Sequence, residues 1–372
     1  MKKQVSDTKN TLYRIASILV LVFILISCEQ PLTSTPSQTT GNDNLSNTPT
    51  IDISTVPALP AIYQSQFINP LDTPRTYIED TCRYLKSRWH PINSKPGTVV
   101  MVIVFHDITN SPSNDPENVS VVEFNRIMKQ LKDQGFEAIN TKKFLGFVER
   151  NVKIPPRSVL IIQDGTYGAD NFEKHFRQYW NTWGWPVVNG WVSQPDLSEA
   201  VWVENINLEV EGWVDHQAQG VITDTRLSDD SSKTVISREL EDPLTAFAEH
   251  YAKIPYAFIW PNNGFGLRPV QAARELGYQI AFTSNPRGPI MFNWVPLADK
   301  IDADRPMYLP EGAINDPLMT LPRYSASQAR SEIDTVRASG EESAIYAEAN
   351  KATELKYYEI MCKPAYGPIP EP

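Results

Sequence analysis

The chain has 372 residues, 41% hydrophobic and 21% charged, enough apolar material for one large core or two small ones. Its 14 Phe, 15 Tyr and 9 Trp exclude a mainly disordered chain. With 34 basic residues against 44 acidic ones it lacks the basic face that phosphate contacts require, which argues against nucleic acid as a partner.

Lys2, Lys3, Lys9 and Arg14 precede an apolar run from Ile15 to Ile26. That run is shorter than the ~20 residues that cross a bilayer, so residues 1–27 read as an export signal and leave the fold argument. The run ends in Leu25-Ile26-Ser27-Cys28, which resembles the lipobox of bacterial lipoproteins. Cleavage before Cys28 would free a thiol for a diacylglycerol anchor; an uncleaved signal anchor and an ordinary secretory signal are the alternatives. The expectation is an exported chain, lipid-anchored to the cell membrane at Cys28 and facing outside the cytoplasm. The remaining body is acidic, so the lipid and not basic adhesion would hold it at the membrane. Cys82 and Cys362 are then an even pair in an oxidising compartment. They form either a bridge between the two ends of the folded region or two separate buried thiols. Residues 28–67 are rich in Ser, Thr, Pro and Asn and read as a flexible stalk.

Residues 76–89 predict a helix that stops at Pro91–Pro96. Thr98–Phe105 is a continuous apolar, β-branched run, the pattern of a parallel strand buried on both faces. Helices are predicted over 122–134, 142–151, 172–183 and 268–276, and strands over 136–139, 159–162, 185–191, 256–259 and 279–283. Residues 287–294 are expected to cover the barrel mouth and 316–324 to form the last strand. Residues 326–361 are helix-prone and are expected to pack on the body, ahead of a Pro-rich end. Alternating strands and 10–13-residue helices imply parallel βαβ units and chemistry at the carboxyl ends of the strands. Those ends carry His106-Asp107, Gln163-Asp164, Asp215-His216 and Trp260-Pro261-Asn262-Asn263-Gly264. Carboxylates and imidazoles at several strand ends are the ingredients of a metal site. Taken singly, a His at a strand end is more often a structural residue; several such ends together point to a pocket.

The stretches VVMVIVFHDIT, FNRIMKQLKDQGFEAINTKKFLGFVERNVKIPPRSVLIIQDG and WPNNGFGLRPVQAARELGYQIAFTSNPRG, in that order, resemble the polysaccharide deacetylases of the NodB-homology type between Thr98 and Tyr324. The resemblance implies a distorted (β/α) barrel of about seven parallel strands over 68–325, followed by a helical segment and Pro-rich tail over 326–372. It also implies a divalent metal, most commonly zinc, held by one Asp and two His, whose bound water attacks an acetyl group on a sugar. A second Asp is the general base, an Arg orients that base, and a late His protonates the leaving amine. Transferred residue by residue, the metal Asp is Asp164 and the first His is His216, while Gly220 replaces the second His. Gln163 stands at the general-base position and Trp260 at the Arg position, and no His follows His250. Base and base-orienter are thus lost together, consistent with an Arg being costly beside no carboxylate. His106, Asp107 and Asp215 are candidates for a third ligand, with Asp215 alternatively orienting the His216 ring.

Six of the nine Trp fall between 180 and 213, and sugar rings stack on exposed aromatic faces. Trp183 and Trp202 are the cleft candidates, with Trp260 a third. The functional expectation is a cell-envelope lipoprotein that binds an N-acetylated or peptidoglycan-like glycan, with hydrolysis weak or lost. An active metal-dependent deacetylase with a rearranged site is the alternative. A purely structural envelope protein would have no glycan affinity.

Overall fold

Seven consecutive apolar residues need protein on both faces of their strand, and Val99–Phe105 (β2) is buried at every position. The computed structural model describes residues 55–371 apart from 114, 116, 166 and 167. The export segment, Cys28 and the stalk up to residue 54 lie outside the described residues. In chain order the main elements are β1 (Asp72–Arg75), α1 (Thr81–Trp89), β2, α2 (Val121–Asp133), β3 (Glu137–Ala138) and α3 (Thr141–Arg150). They continue with β4 (Arg157–Asp164), α4 (Ala169–His175), α5 (Arg177–Trp183), β5 (Val187–Trp191), α6 (Glu199–Val210) and β6 (Val214–Ala218). The chain is completed by α7 (Lys233–His250), β7 (Ala257–Ile259), α8 (Leu267–Glu275), β8 (Ile280–Phe282), β9 (Val295–Ala298), β10 (Tyr324–Ser325) and α9 (Ala326–Tyr357).

The main sheet runs β8-β7-β6-β5-β4-β2-β10, and every neighbouring pair is parallel, with β3 added beside the start of β4. Its two edges approach through one irregular segment. Leu321 bridges Phe282 of β8, and three residues later Tyr324 pairs with Ile103 of β2. The result is a distorted (β/α) barrel of seven parallel strands, built from the parallel βαβ units that the rhythm of elements predicts and matching the strand number that the sequence resemblance implies. Period-two alternation sorts the side chains. Val100, Val102, Leu160, Ile162, Val188, Ile259 and Phe282 fill the interior, whereas Met101, Ile103, Phe105, Val159 and Ile161 pack against α2 and α9.

Local chemistry starts the helices where the apolar pattern begins. Ser120 accepts the Glu123 N–H ahead of α2, and Asn140 accepts the Lys143 N–H ahead of α3. At the close contact between α9 and β2, a Cβ on Gly340 would stand 2.8 Å from the Gly97 carbonyl and 2.9 Å from Val99. No larger residue lets the two elements approach this far. Cys82 and Cys362 are disulfide-bonded, with Cα atoms 5.2 Å apart, so the bridge and not the pair of thiols is present. Among the described residues no helix is long and apolar enough to cross a membrane.

Several boundaries differ from the sequence reading. Residues 59–67 are not all stalk: Tyr63 is buried, its carbonyl accepts from Trp294 Nε1 at 2.9 Å, and Ser65 packs on Ser339. The helix predicted over 76–89 starts only at Thr81, because Asp80 caps it by accepting the Arg83 N–H. The helix predicted over 172–183 is two, meeting at Phe176. Residues 287–294 do not cover the mouth; Ile290 exchanges backbone hydrogen bonds with Val100 near the start of β2 and so extends the barrel wall. The expected last strand contains a 3-10 turn, Pro317–Met319, ahead of the two-residue β10.

Candidate functional site

β2 and β4 lie side by side in register, Phe105 opposite Gln163, so His106 and Asp164 end neighbouring strands. Phe105 and Gln163 continue one lateral row through Asn189 to His216. Residues of one row in a parallel sheet share a face, and Phe105 packs on Phe124 and Phe176 of the helix layer. The next row, with Asp164 opposite Gly190 and Gln217, faces the barrel interior.

Asp164 is 4% exposed. Its Oδ2 accepts from Arg323 Nη1 at 2.9 Å and lies 3.5 Å from His106 Nε2. The other ring nitrogen of His106, Nδ1, is 2.9 Å from Glu117 Oε2. Arg323 is fully buried and also donates to the Thr283 carbonyl at 2.7 Å and to Ser284 Oγ at 3.1 Å. It arrives from the segment that closes the barrel, 159 residues from its partner. Asp164 Oδ1 is buried without a hydrogen-bond partner among the described residues. Gln219 leans over the strand ends, its Oε1 accepting the Gly165 N–H at 3.0 Å. Gly190 makes this path available, because a Cβ there would stand 2.6 Å from that same oxygen.

Burial alone would push the Asp164 carboxyl up, but the charge of Arg323 and the contact with His106 hold it well below the usual carboxylate range. Burial likewise disfavours the His106 imidazolium, yet its hydrogen bonds to Asp164 and Glu117 and their charges outweigh that and lift its pKa to about 9. The cluster is therefore two cations and two anions at neutral pH. A folded pKa above the unfolded value of ~6.5 means that this stabilisation is fully present below pH ~6.5 and lost as pH rises through about 9. Denaturation midpoints between pH 6 and 10 are expected to fall along this curve, and His106→Gln is expected to flatten it. An unchanged slope in that variant would assign the alkaline loss to another group.

The structure does not bring Asp164 and His216 together. His216 is fully buried on the helix side, with Nδ1 2.8 Å from Glu209 and Nε2 3.0 Å from Asn205, and it stacks on Tyr251. Burial pushes its pKa down against the opposing pull of Glu209. Gln163, at the general-base position, is also in the helix-facing row, its amide donating to the His106 carbonyl. Trp260 packs on Phe258 in the outer layer and donates to the Met319 carbonyl at 2.8 Å, so it does not face the mouth. Asp215 lies near the start of β6, away from the mouth, bonded to Lys253 and Gln217 at 3.0 Å each. Asp107 is exposed beside His106, its carbonyl accepting the Val119 N–H. The Trp candidates are packing residues. Trp202 is 5% exposed and stacks on His250 at 4.0 Å, and Trp183 wedges against Tyr179 and Trp185 below the start of β5.

Among the described residues no group of three His, Cys, Asp or Glu side chains converges as metal ligands. The residues do not fit the divalent ion that the sequence resemblance implies. The strand-end carboxylate is neutralised by a guanidinium, and the imidazole assigned to the ion has both nitrogens engaged on the opposite face. Arg323 and Glu117 escaped the sequence reading. The only available signal was the rule that a buried strand-end carboxylate needs a counter-charge from somewhere in the chain.

No family model matches the chain, and no curated protein matches it. Solved structures similar to it include the Streptococcus pyogenes deacetylase PplD in complex with acetate, at 14% identity and TM-score 0.48, covering 61% of this chain and 92% of that one. IcaB from Ammonifex degensii is similar at 13% identity and TM-score 0.48, covering 66% and 97%. A polysaccharide deacetylase from Bacillus cereus is similar at 16% identity and TM-score 0.47, covering 63% and 69%.

Proposed function

We propose that this chain is a polysaccharide-deacetylase-type barrel, exported and lipid-anchored at Cys28, that binds N-acetylated glycan at the strand ends around His106 and Asp164 with hydrolysis weak or lost. The observation that carries the reading is the Arg323–Asp164 pair. A carboxylate matching the metal Asp of the resembled family is bound to a guanidinium, and the neighbouring base position is an amide aimed away from it. Support for the glycan comes from the ordered sequence segments between Thr98 and Tyr324 and from the place of the polar cluster at the carboxyl ends of parallel strands. His106 and Glu117, with 29% and 56% of their side chains exposed, would meet sugar hydroxyls and the acetamido group. The alternative, an active deacetylase, requires a metal and a substitute base.

Elemental mass spectrometry and acetate-release assays on the purified full chain, beside calorimetric titration with chitooligosaccharide, separate the two. Binding without stoichiometric metal and without acetate is the expected result, with at least a tenfold loss of affinity in His106→Ala. Near-stoichiometric zinc that disappears in Asp164→Ala, together with acetate release, would overturn it in favour of the hydrolase.

A further inference from the structure

A pocket of about 440 Å³ opens on the flank of the barrel, between β10, the first turns of α9, and loops at 67–69, 286–288 and 304–308. That volume is in the range of small-molecule sites. Its inner wall is an ion-pair network closed on itself. Arg287 bonds Asp72 at 3.2 Å and Glu311 at 3.1 Å, and Arg305 bonds Asp72 at 2.9 Å and Asp302 at 2.7 Å. Two other lining carboxylates, Glu332 and Asp304, are outside this network and have no ion-pair partner among the described residues. Tyr324 also lines the pocket. It is only 4% exposed, yet its hydroxyl makes no hydrogen bond to any described residue. The Tyr324 hydroxyl opens onto the pocket without a partner among the described residues, so it can exchange a hydrogen bond with a ligand hydroxyl there. Carboxylates without cations favour a positive ligand. Phe67, 39% exposed at the rim, offers an apolar face for the C–H side of a ring.

We infer that this pocket binds a polyhydroxylated primary amine, a free-amine sugar, with its ammonium on Glu332 and a ring hydroxyl on Tyr324. The inference rests on the reading of the chain as a glycan-handling barrel, and it places a second site apart from the His106–Asp164 cluster. Burial pushes the Glu332 carboxyl up, with only a Thr335 hydrogen bond opposing, and an ammonium ligand would reverse that shift.

Calorimetric titration of the full chain at pH 7 with glucosamine, N-acetylglucosamine and glucose tests it. Glucosamine is expected to bind about tenfold more tightly than either neutral sugar, and Glu332→Gln is expected to abolish that preference. Tyr324→Phe, which removes only the hydroxyl, is expected to weaken glucosamine and glucose severalfold, and His106→Ala, the mouth variant, to leave glucosamine binding unchanged. Absence of saturable glucosamine binding, or a preference that survives Glu332→Gln, would overturn the pocket. Loss of glucosamine binding in His106→Ala would move the amine to the mouth cluster and also overturn it. Loss of chitooligosaccharide binding alone, with glucosamine binding intact, would instead count against the function proposed for the mouth.

Discussion

Arg323→Ala is expected to destabilise the fold by about 3–5 kcal/mol, read from urea denaturation of the full chain. Removing one member of a buried pair leaves the other charge in the interior, and that penalty exceeds the net worth of the pair. Here the conditions are strict: the Arg323 side chain is fully buried and that of Asp164 is 5% exposed. The variant also deprives the Thr283 carbonyl and Ser284 Oγ of donors at the point where the barrel closes. The paired change Asp164→Asn with Arg323→Met is expected to recover much of the loss, because neither residue then carries an unpaired charge. A loss below about 1 kcal/mol in Arg323→Ala would place the pair with solvent-screened ion pairs. It would also remove the reason for reading Arg323 as the group that neutralises the strand end.

The same pair sets an acid limb. The folded pKa of Asp164 is depressed, so its contribution is fully present above the unfolded value near 3.9 and lost as pH falls through the folded value. Without the guanidinium that depression is expected to shrink to what the His106 contact still supplies against burial, and the part of the acid-side loss of stability that belongs to Asp164 to shrink with it.

The strands that build the barrel were legible because burial on both faces forces apolar runs, as in Val99–Phe105 and Val159–Ile162. The helices α2 and α3 were legible because each has one apolar face and a capping side chain. Helix α6 was not, since its apolar residues are spread around it and Val203 and Val210 face solvent. Helix α7 was hidden by Pro243 in its interior, a residue that ordinarily ends or kinks a helix. At the site, Asp164 and His106 were read correctly as strand-end residues. His216 was misplaced because spacing in a family motif was followed instead of strand parity. Val214, His216 and Ala218 alternate with Asp215 and Gln217, and that pattern puts the imidazole on the apolar, helix-facing side. The Arg323–Asp164 contact had no local signal, because only the closed barrel brings residues 159 positions apart together.

Cys82→Ser is expected to cost about 2–5 kcal/mol, measured by denaturation of the oxidised protein beside the variant. The bridge closes 280 residues, nearly the whole described body, so its removal restores a large share of unfolded-chain freedom. Loop closure grows only with the logarithm of length, which caps the gain near the top of that range however long the loop is. The bridge also joins α1 to the segment after α9, where Leu85, Tyr358 and Cys362 form a small buried cluster separate from the barrel interior. A cluster of that size gains little from burial alone. The tail is therefore expected to be the first region to exchange its amide hydrogens on reduction, with the strands of the barrel still protected. Uniform loss of protection across tail and barrel would instead mean that the α1–tail contact is part of the cooperative core. A cost below about 1 kcal/mol would assign the docking of the tail to packing and to the Lys86–Tyr366 and Tyr366–Asp80 hydrogen bonds, leaving the disulfide a bystander in the native state.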